Sequence, residues 1–355
     1  MSTLSVISDV QTQIVEARTF AQQGSSLLET QGAGTIPPCR LPGWTEVLRE
    51  GLGHETHLLV AHDHSRLVSY LPLALVRSRL FGRFLVGLPY LNSGGIVGEH
   101  DQAAVSLIDR AVQLADELDV RYLELRHERR YEHAALAHEV TSKVHMRLAL
   151  PNNADALWTQ LKAKVRNQVR KGRENRLTVE WGGENLLAAF YDVFSRNMRD
   201  LGTPVYGKGF FRAMVKYLSG QAEFCVVQQG ARPVAAALLV HGQGVTEVPS
   251  ASSLRQFSST NANMLMYWHL LERAIQRGQH TFDFGRSTID SNTFRFKKQW
   301  GAEPHPAVWQ YYVRRGTVGD MRPESSRYRH FIRVWQRLPV GLTRLVGPAI
   351  VRGIP

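Results

Sequence analysis

The run from Phe282 to Gly301 reads FDFGRSTIDSNTFRFKKQWG and gathers a carboxylate, a guanidinium and two ammonium groups. Asp283 is of a type that can take a proton from an attacking nucleophile. Arg286, Lys297 and Lys298 are of types that can hold phosphate or offset the charge of a tetrahedral oxyanion. The spacing predicts a short strand, a polar turn and a helix. Phe282 and Phe284 alternate with Asp283 along the strand, so phenylalanines facing a core leave Asp283 on the opposite face. Asn292 is the expected N-cap of a helix over 293–300, and Gly301 its C′ stop. Phe296 and Trp300, four apart, share one helix face, and Lys297 lies on the neighbouring one. Asp283 is therefore expected to point into a cleft between domains, with Lys297 approaching from the helix. Exchange of Asp283 for asparagine is expected to cost turnover and to leave stability nearly unchanged.

Other candidates surround this run. Glu247 lies in the strand VTEVPSA, where glutamate is disfavoured, which suits a cleft lining and makes it a second candidate base. EVPSASSLR is read as leaving that strand for a serine-rich loop in which Ser252 and Ser253 donate to substrate oxygens and Arg255 pairs with a carboxylate or phosphate. Lys162–Arg176 forms a basic helix anchored by Trp158, Leu161, Val165 and Val169, all spaced by three or four. Arg166 and Arg170 beside that anchor offer two guanidinium forks to a diphosphate or a tRNA backbone. In RDLGTPVYGKGFF, Gly202 and Pro204 force a turn that sets Tyr206 in a loop over a site, while Phe210 and Phe211 anchor the next helix. The order of a Walker phosphate loop is absent. The helix over 263–277 carries a core stripe, Met264, Trp268, Leu271 and Ile275. Asn263, Tyr267 and His269 lie on it outside the stripe and, with Trp300, complete the candidate substrate-binding set.

With 355 residues, 43% hydrophobic and 21% charged, the chain is globular and long enough for two domains. The formal net charge of +12 favours an anionic partner: a nucleotide diphosphate, a tRNA or an acidic membrane surface. No apolar run reaches the ~20 residues of a membrane span, and the N-terminus lacks the pattern of a signal peptide. Cys39 and Cys225 have no CxxC spacing, so neither a disulfide framework nor structural zinc is expected. HETH (54–57) and HDH (62–64) flank a predicted hairpin without a converging ligand set and read as solvated or capping histidines. A cytoplasmic protein is expected, peripheral to the inner face of the membrane if its tail binds lipid.

Both halves show the order hairpin, helix, strand, which predicts a mixed α/β fold of two related domains. The expected limits are 1–150 and 151–320, with a basic amphipathic tail over 321–355. In the tail, Phe331, Val334, Trp335 and Leu338 are helically spaced, with Arg333 and Arg337 to one side. Such a helix suits an anionic membrane interface or packing on the protein itself. Removal of 325–355 is expected to leave the remainder folded.

VRNQVRKG (165–172), FSRNMRDLGTPVYGKGFF (194–211), PVAAALLV (233–240), EVPSASSLR (247–255), NMLMYWHLL (263–271) and FDFGRSTIDSNTFRFKKQWGAEP (282–304) together resemble FemAB-like acyltransferases of the Gcn5-related (GNAT) superfamily. The resemblance is nearest to the subgroup that accompanies exosortase/PEP-CTERM exopolysaccharide systems. Ser250 stands where that pattern has tryptophan. The resemblance implies tandem GNAT-like domains, each a mixed, mostly antiparallel sheet flanked by helices. It also implies transfer of an acyl or aminoacyl group to an amine or hydroxyl of a cell-envelope or exopolysaccharide precursor. No permanently bound cofactor is expected. The donor is aminoacyl-tRNA or acyl-CoA, and the acceptor a nucleotide- or lipid-linked sugar. The Q/R-x-x-G-x-G/A coenzyme-A loop has no good copy, since QVRKGREN and QQGARP both miss its spacing. The alternatives are an acyl-CoA-dependent sugar acyltransferase of the same fold and a non-catalytic RNA- or lipid-binding scaffold.

Overall fold

The computed structural model describes residues 10–15, 20, 35–78, 81–98, 100–317 and 328–354. The first half runs β1 (Val10–Val15), α1 (Trp44–Leu52), β2 (Glu55–Asp63), β3 (Arg66–Ser78), β4 (Gly82–Val86), α2 (Asp101–Glu117), β5 (Tyr122–His127), β6 (His138–Val140) and β7 (Lys143–Ala149). The second runs α3 (Ala154–Gln160), α4 (Ala163–Glu174), β8 (Leu177–Gly182), α5 (Leu187–Leu201), α6 (Lys208–Tyr217), β9 (Ala222–Gln229), β10 (Arg232–His241), β11 (Val245–Ser253), α7 (Ala262–Gln276), β12 (Thr281–Thr288), α8 (Asn292–Gln299), β13 (Glu303–Pro306) and β14 (Val308–Val313). Helices α9 (Tyr328–Arg337) and α10 (Val340–Val351) follow.

Two seven-stranded sheets result, ordered β1-β2-β3-β4-β5-β14-β6 and β8-β9-β10-β11-β12-β7-β13. The orders are equivalent. Four strands run antiparallel in sequence, the fourth pairs in parallel with the fifth across a helix, and two more strands complete each sheet. The helices between the parallel strands are α2 and α7. The sixth strand of each sheet comes from outside its own run of strands. β7 crosses to pair with β12, and β14 returns to pair with β5. The sheets therefore do not part at Leu150, because β7 belongs to the second sheet and β14 to the first. Helix α1 also packs on α6, and Trp44, Val47 and Leu48 share a core with Phe190, Phe211 and Phe224.

Local chemistry explains the remaining differences from the sequence reading. The Trp158–Val169 stripe is divided between two helices, because Leu161 is extended (ψ 143°). The Arg166 guanidinium donates to the carbonyls of Thr159 and Leu161 and so caps the first of these helices. The serines of EVPSASSLR lie on strand β11, not in a loop, since Leu238, Ala237, Ala236 and Ala235 of β10 pair with Ser250 through Ser253. The cap of α8 is Ser291, one residue before the expected Asn292; its Oγ accepts from the Phe294 N–H at 3.2 Å. Gly301 follows α8 at φ 97°, as expected of a C′ glycine.

The tail is not a detachable appendage. Trp335, Thr343 and Val351 are buried, and α9 and α10 lie on α5. Arg344 donates to Asp192 and Ser195 of α5 at 2.6 and 2.8 Å, and the Arg352 carbonyl accepts from Tyr90 Oη at 2.6 Å. Removal of 325–355 would uncover part of α5 and take one of its two hydroxyl partners from Tyr90, which keeps His54, so the truncated chain is expected to be less stable than the sequence suggested. No helix among the described residues is long and apolar enough to cross a membrane.

Candidate active site at the seam of the two sheets

The parallel pair β11–β12 ends at Glu247 opposite Asp283. Beyond that pair the strands part, β11 staying with β10 and β12 with β7. Parting strands leave backbone groups and side chains without a ladder neighbour. Here Asn92, from the loop after β4, fills the gap. Its Nδ2 donates to Glu247 Oε1 at 2.5 Å, and its Oδ1 accepts from Arg286 N and Nε at 3.4 Å. Gly285 makes room: its φ is 74°, and a Cβ there would meet Asn92 Nδ2 at 2.8 Å.

Asp283 closes a ring of side chains from both sheets. Its Oδ1 accepts from Gly285 N–H at 2.7 Å and its Oδ2 from Arg147 Nε at 2.9 Å. Arg147 grips Glu128 with both terminal nitrogens, at 2.8 and 2.6 Å. Ser93 Oγ donates to Glu128 at 3.0 Å and lies 3.2 Å from His145 Nε2. His145 Nδ1 returns to Asp283 Oδ2 at 3.7 Å, too long for a hydrogen bond, and has no other partner. Lys297 reaches the same place from α8. Its Nζ donates to the carbonyls of Gly285 and Arg286, both at 2.9 Å, and so holds the bend of β12 rather than pairing with Asp283 directly. The Arg286 and Arg126 guanidinium carbons lie 3.5 and 4.0 Å from the Trp309 ring centroid, and Arg126 is bound to Glu124 at 2.6 Å. Glu124 stands opposite Val86 at the end of the first sheet's parallel pair, the place Asp283 holds in the second.

Burial sets the electrostatics. Glu247 is pushed up to about 7 by burial first and by the Asp283 charge second. Lys297 is brought down to about 8 by burial, against the pull of Asp283 and Glu247. Arg286 is drawn below its ordinary value by burial and then by Arg126. A carboxyl poised near neutrality beside an ammonium of lowered pKa can exchange protons with an acceptor and a leaving group. Glu128 behaves oppositely: burial raises it, but the Arg147 bonds and charge outweigh that and hold it at about 2.

The seam borders a cavity of about 470 Å³ in the first half. Ser93 and Glu128 are shared between ring and cavity, whose other charged and titratable lining residues include Arg40, Arg126, His127 and Arg129, the last paired with Asp101 at 3.1 Å. His127 is buried, and burial brings it down to about 4 against the opposing effect of Gln310.

Of the residues singled out in the sequence, the structure brings together Glu247, Asp283, Arg286 and Lys297. The others lie elsewhere. Trp300 is 1% exposed and belongs to the core. Tyr267 stacks on Phe284 at 5.7 Å and meets Phe296 edge-on. Lys298 is exposed, 5.8 Å from the Phe294 ring centroid. His269 pairs with Glu272 at 3.0 Å. Buried Ser252 accepts from Asn197 at 3.1 Å, Ser253 is a strand residue, and Arg255 is exposed. Asn263 is half-buried in the first turn of α7. Arg170 donates to Asn167 at 2.9 Å, beside Trp158. Tyr206 packs on Tyr90 and Phe210 under burial that pushes its hydroxyl up to about 12, and α10 lies against its loop.

Asn92, Ser93, Glu128, His145 and Arg147 escaped the sequence reading. Two strands carried a usable signal. Charged or polar residues recur at every second position in Lys143, His145, Arg147 of β7, with valine and methionine between them, and in Glu124, Arg126 of β5, with leucine between them and Glu128 just past the strand's end. One-sided polarity of that kind marks a face turned toward something polar. Nothing local marked Asn92.

A second charged cluster lies outside the seam. Glu223 accepts from His241 Nε2 and Arg273 Nε, both at 2.9 Å; these bonds outweigh the effect of burial and hold it at about 2. Glu128 and Glu223 both fold with pKa values depressed from 4.5, so their contribution is present above about pH 4.5 and lost as pH falls toward 2. The expected loss is roughly 3 kcal/mol for Glu223 and less for the more exposed, water-screened Glu128. Urea midpoints measured down this range test it: in the Glu223→Gln variant the fall should be shallower than in the parent.

Residues 159–298 match the family model described as an acetyltransferase (GNAT) domain. No curated protein matches the chain in sequence. By fold, the chain is similar to FemX, with TM-score 0.63 and 13% identity over 86% of this chain and 97% of that one. It is similar also to a tandem GNAT protein from the clavulanic acid biosynthesis pathway (0.55, 12%, 86% and 98%). A third likeness is the C-terminal domain of a putative lysylphosphatidylglycerol synthetase from Agrobacterium fabrum (0.54, 11%, 84% and 93%). Identities so low speak for the fold, and the family match covers Glu247, Asp283 and Lys297 but not Asn92, His145 or Arg147. Residues 159–298 are thus similar to an acetyltransferase (GNAT) domain, and the fold as a whole, two mixed sheets flanked by helices, is like that of tandem GNAT proteins.

Proposed function

We propose that the protein is a FemAB-like acyl- or aminoacyl-transferase acting on an amine or hydroxyl of a cell-envelope or exopolysaccharide precursor, of the kind that accompanies exosortase/PEP-CTERM systems. The observation that carries this reading is the place of Glu247, a buried carboxyl opposite Asp283 where β11 and β12 part, with Lys297 tied to the adjoining bend of β12; burial and the Asp283 charge push Glu247 up toward neutrality. In this account Glu247 takes the proton of the acceptor nucleophile, which attacks the donor's carbonyl carbon. Lys297 offsets the charge of the tetrahedral oxyanion. As the intermediate collapses, the bond to the donor's thiol sulfur or tRNA ribose oxygen breaks, and that atom takes the proton that Glu247 had accepted, which restores the carboxylate. Asp283, tied to Arg147, positions β12 and raises Glu247. The cavity bordered by Ser93 and Glu128 takes the acceptor, with Arg40 and Arg129 toward the phosphate of a nucleotide- or lipid-linked sugar.

An acyl-CoA-dependent sugar acyltransferase is the second reading, favoured by the acetyltransferase description of the matching domain. The two are separated by offering labelled acetyl-CoA and labelled aminoacyl-tRNA in parallel, with nucleotide- and lipid-linked sugars as acceptors, and following the label by mass spectrometry. Transfer from aminoacyl-tRNA supports the first reading in its aminoacyl form, and transfer from acetyl-CoA to the sugar alone supports the second. Transfer from neither, across both acceptor classes, would refute both.

A further inference from the structure

The outer side of α10 is apolar. Thr343, Gly347 and Val351 face inward, and Arg344 is spent on Asp192 and Ser195. Leu342, Leu345, Val346 and Ala349 recur at three- and four-residue spacing on the opposite side and are all exposed, Leu345 at 77%. A surface helix normally turns its polar side to water, and a helix apolar all round has a second partner. The preceding α9 repeats the motif, with Phe331 and Val334 more than 40% exposed beside exposed Arg333 and Arg337. Residues 328–354 contain five arginines and no aspartate or glutamate.

We propose that α9 and α10 form a membrane-docking surface that lies in the interface of an anionic lipid bilayer, with the Leu342–Ala349 face in the acyl boundary and Arg333, Arg337 and Arg352 on the phosphates. Charge complementarity decides the occupant. Within α9 and α10 the exposed apolar side chains are accompanied by cations and by no acid, and the neighbouring Asp192 and Asp200 are paired with arginines; this suits a dense anionic surface, whereas a second copy of the same surface would bring arginines against arginines. The surface is joined to the seam. Arg352 O accepts from Tyr90 Oη, and Tyr90, at φ 71°, stands two residues before Asn92. Docking would then present the seam loop beside the bilayer, where a lipid-linked substrate resides. The proposal stands apart from the transfer reaction and is tested without it.

The test is co-sedimentation of the full chain with vesicles of phosphatidylcholine alone or mixed with phosphatidylglycerol. Binding is expected only to the mixture and should weaken with salt. Arg333→Gln with Arg337→Gln should lower the partition constant about thirty-fold, each arginine being worth about 1 kcal/mol at such a surface. Leu345→Gln with Val346→Gln should lower it about ten-fold or more, with an unchanged melting temperature because both side chains are already exposed. Failure to bind the mixed vesicles overturns the proposal, as does equal binding by both double variants. So does a concentration-dependent dimer of the parent that Leu345→Gln with Val346→Gln abolishes, since a second copy would then be the occupant.

Discussion

Replacing Glu247 by glutamine lowers the rate of acyl transfer by about 10²–10⁴-fold, the range of a lost general base, and does not destabilise the fold above neutral pH. The second half of that expectation separates catalysis from structure. The folded pKa of Glu247, about 7, lies above the ordinary 4.5. Between those values the native state holds a proton that the unfolded chain releases, so this group's contribution falls as pH rises through the window. Glutamine removes the penalty, and its carbonyl oxygen still accepts from Asn92 Nδ2. At pH 8 the variant should therefore melt no lower than the parent. A variant that keeps its activity, or that loses activity and stability together, would take Glu247 out of the proposed role.

Asp283→Asn should act in the other direction, through stability. Asp283 shares Arg147 with Glu128, is buried, and holds the β12 turn through Gly285 N–H. Breaking a buried ion pair outright from one side costs about 3–5 kcal/mol; here Arg147 keeps Glu128, so the cost should fall below that range. Asparagine can keep the Gly285 bond but returns no charge to Arg147. The sequence suggested that this exchange would spare stability, and burial within the ring corrects that expectation. Chemical denaturation of Asp283→Asn, Arg147→Met and the double variant gives the check. The double variant should cost clearly less than the sum of the singles. Additive costs, or an unchanged midpoint in Asp283→Asn, would mean that the ring does not hold the seam.

The strand-turn-helix at Phe282–Gly301 was legible because its signals are local: alternation placed the phenylalanines in the core, and Gly301 ended the helix. The paired orders of hairpin, helix and strand were legible for the same reason, and they correspond to the two equivalent sheets. The exchange of β7 and β14 was not, because strand pairing across some 130 to 190 residues leaves no periodic trace. That exchange brings Arg147 and His145 to Asp283, so missing it meant missing half of the ring. Lys297 was found but its partner was not. The spacing placed it near Asp283, while the carbonyls it binds are exposed only by the bend at Gly285. Tyr267 and Trp300 looked like binding residues by composition, yet aromatic side chains near a site are as readily its floor as its lining, and here they pack on Phe284 and on each other.

The most direct test of the central claim, that Glu247 is the base for acyl transfer at this seam, is the pH dependence of the single-turnover transfer rate with a saturating donor. The account predicts a rate that rises with unit slope on the acidic side and levels near pH 7, with the inflection absent from the residual rate of the Glu247→Gln variant. A parent rate that is flat across that range, or an inflection that persists in the variant, would contradict it.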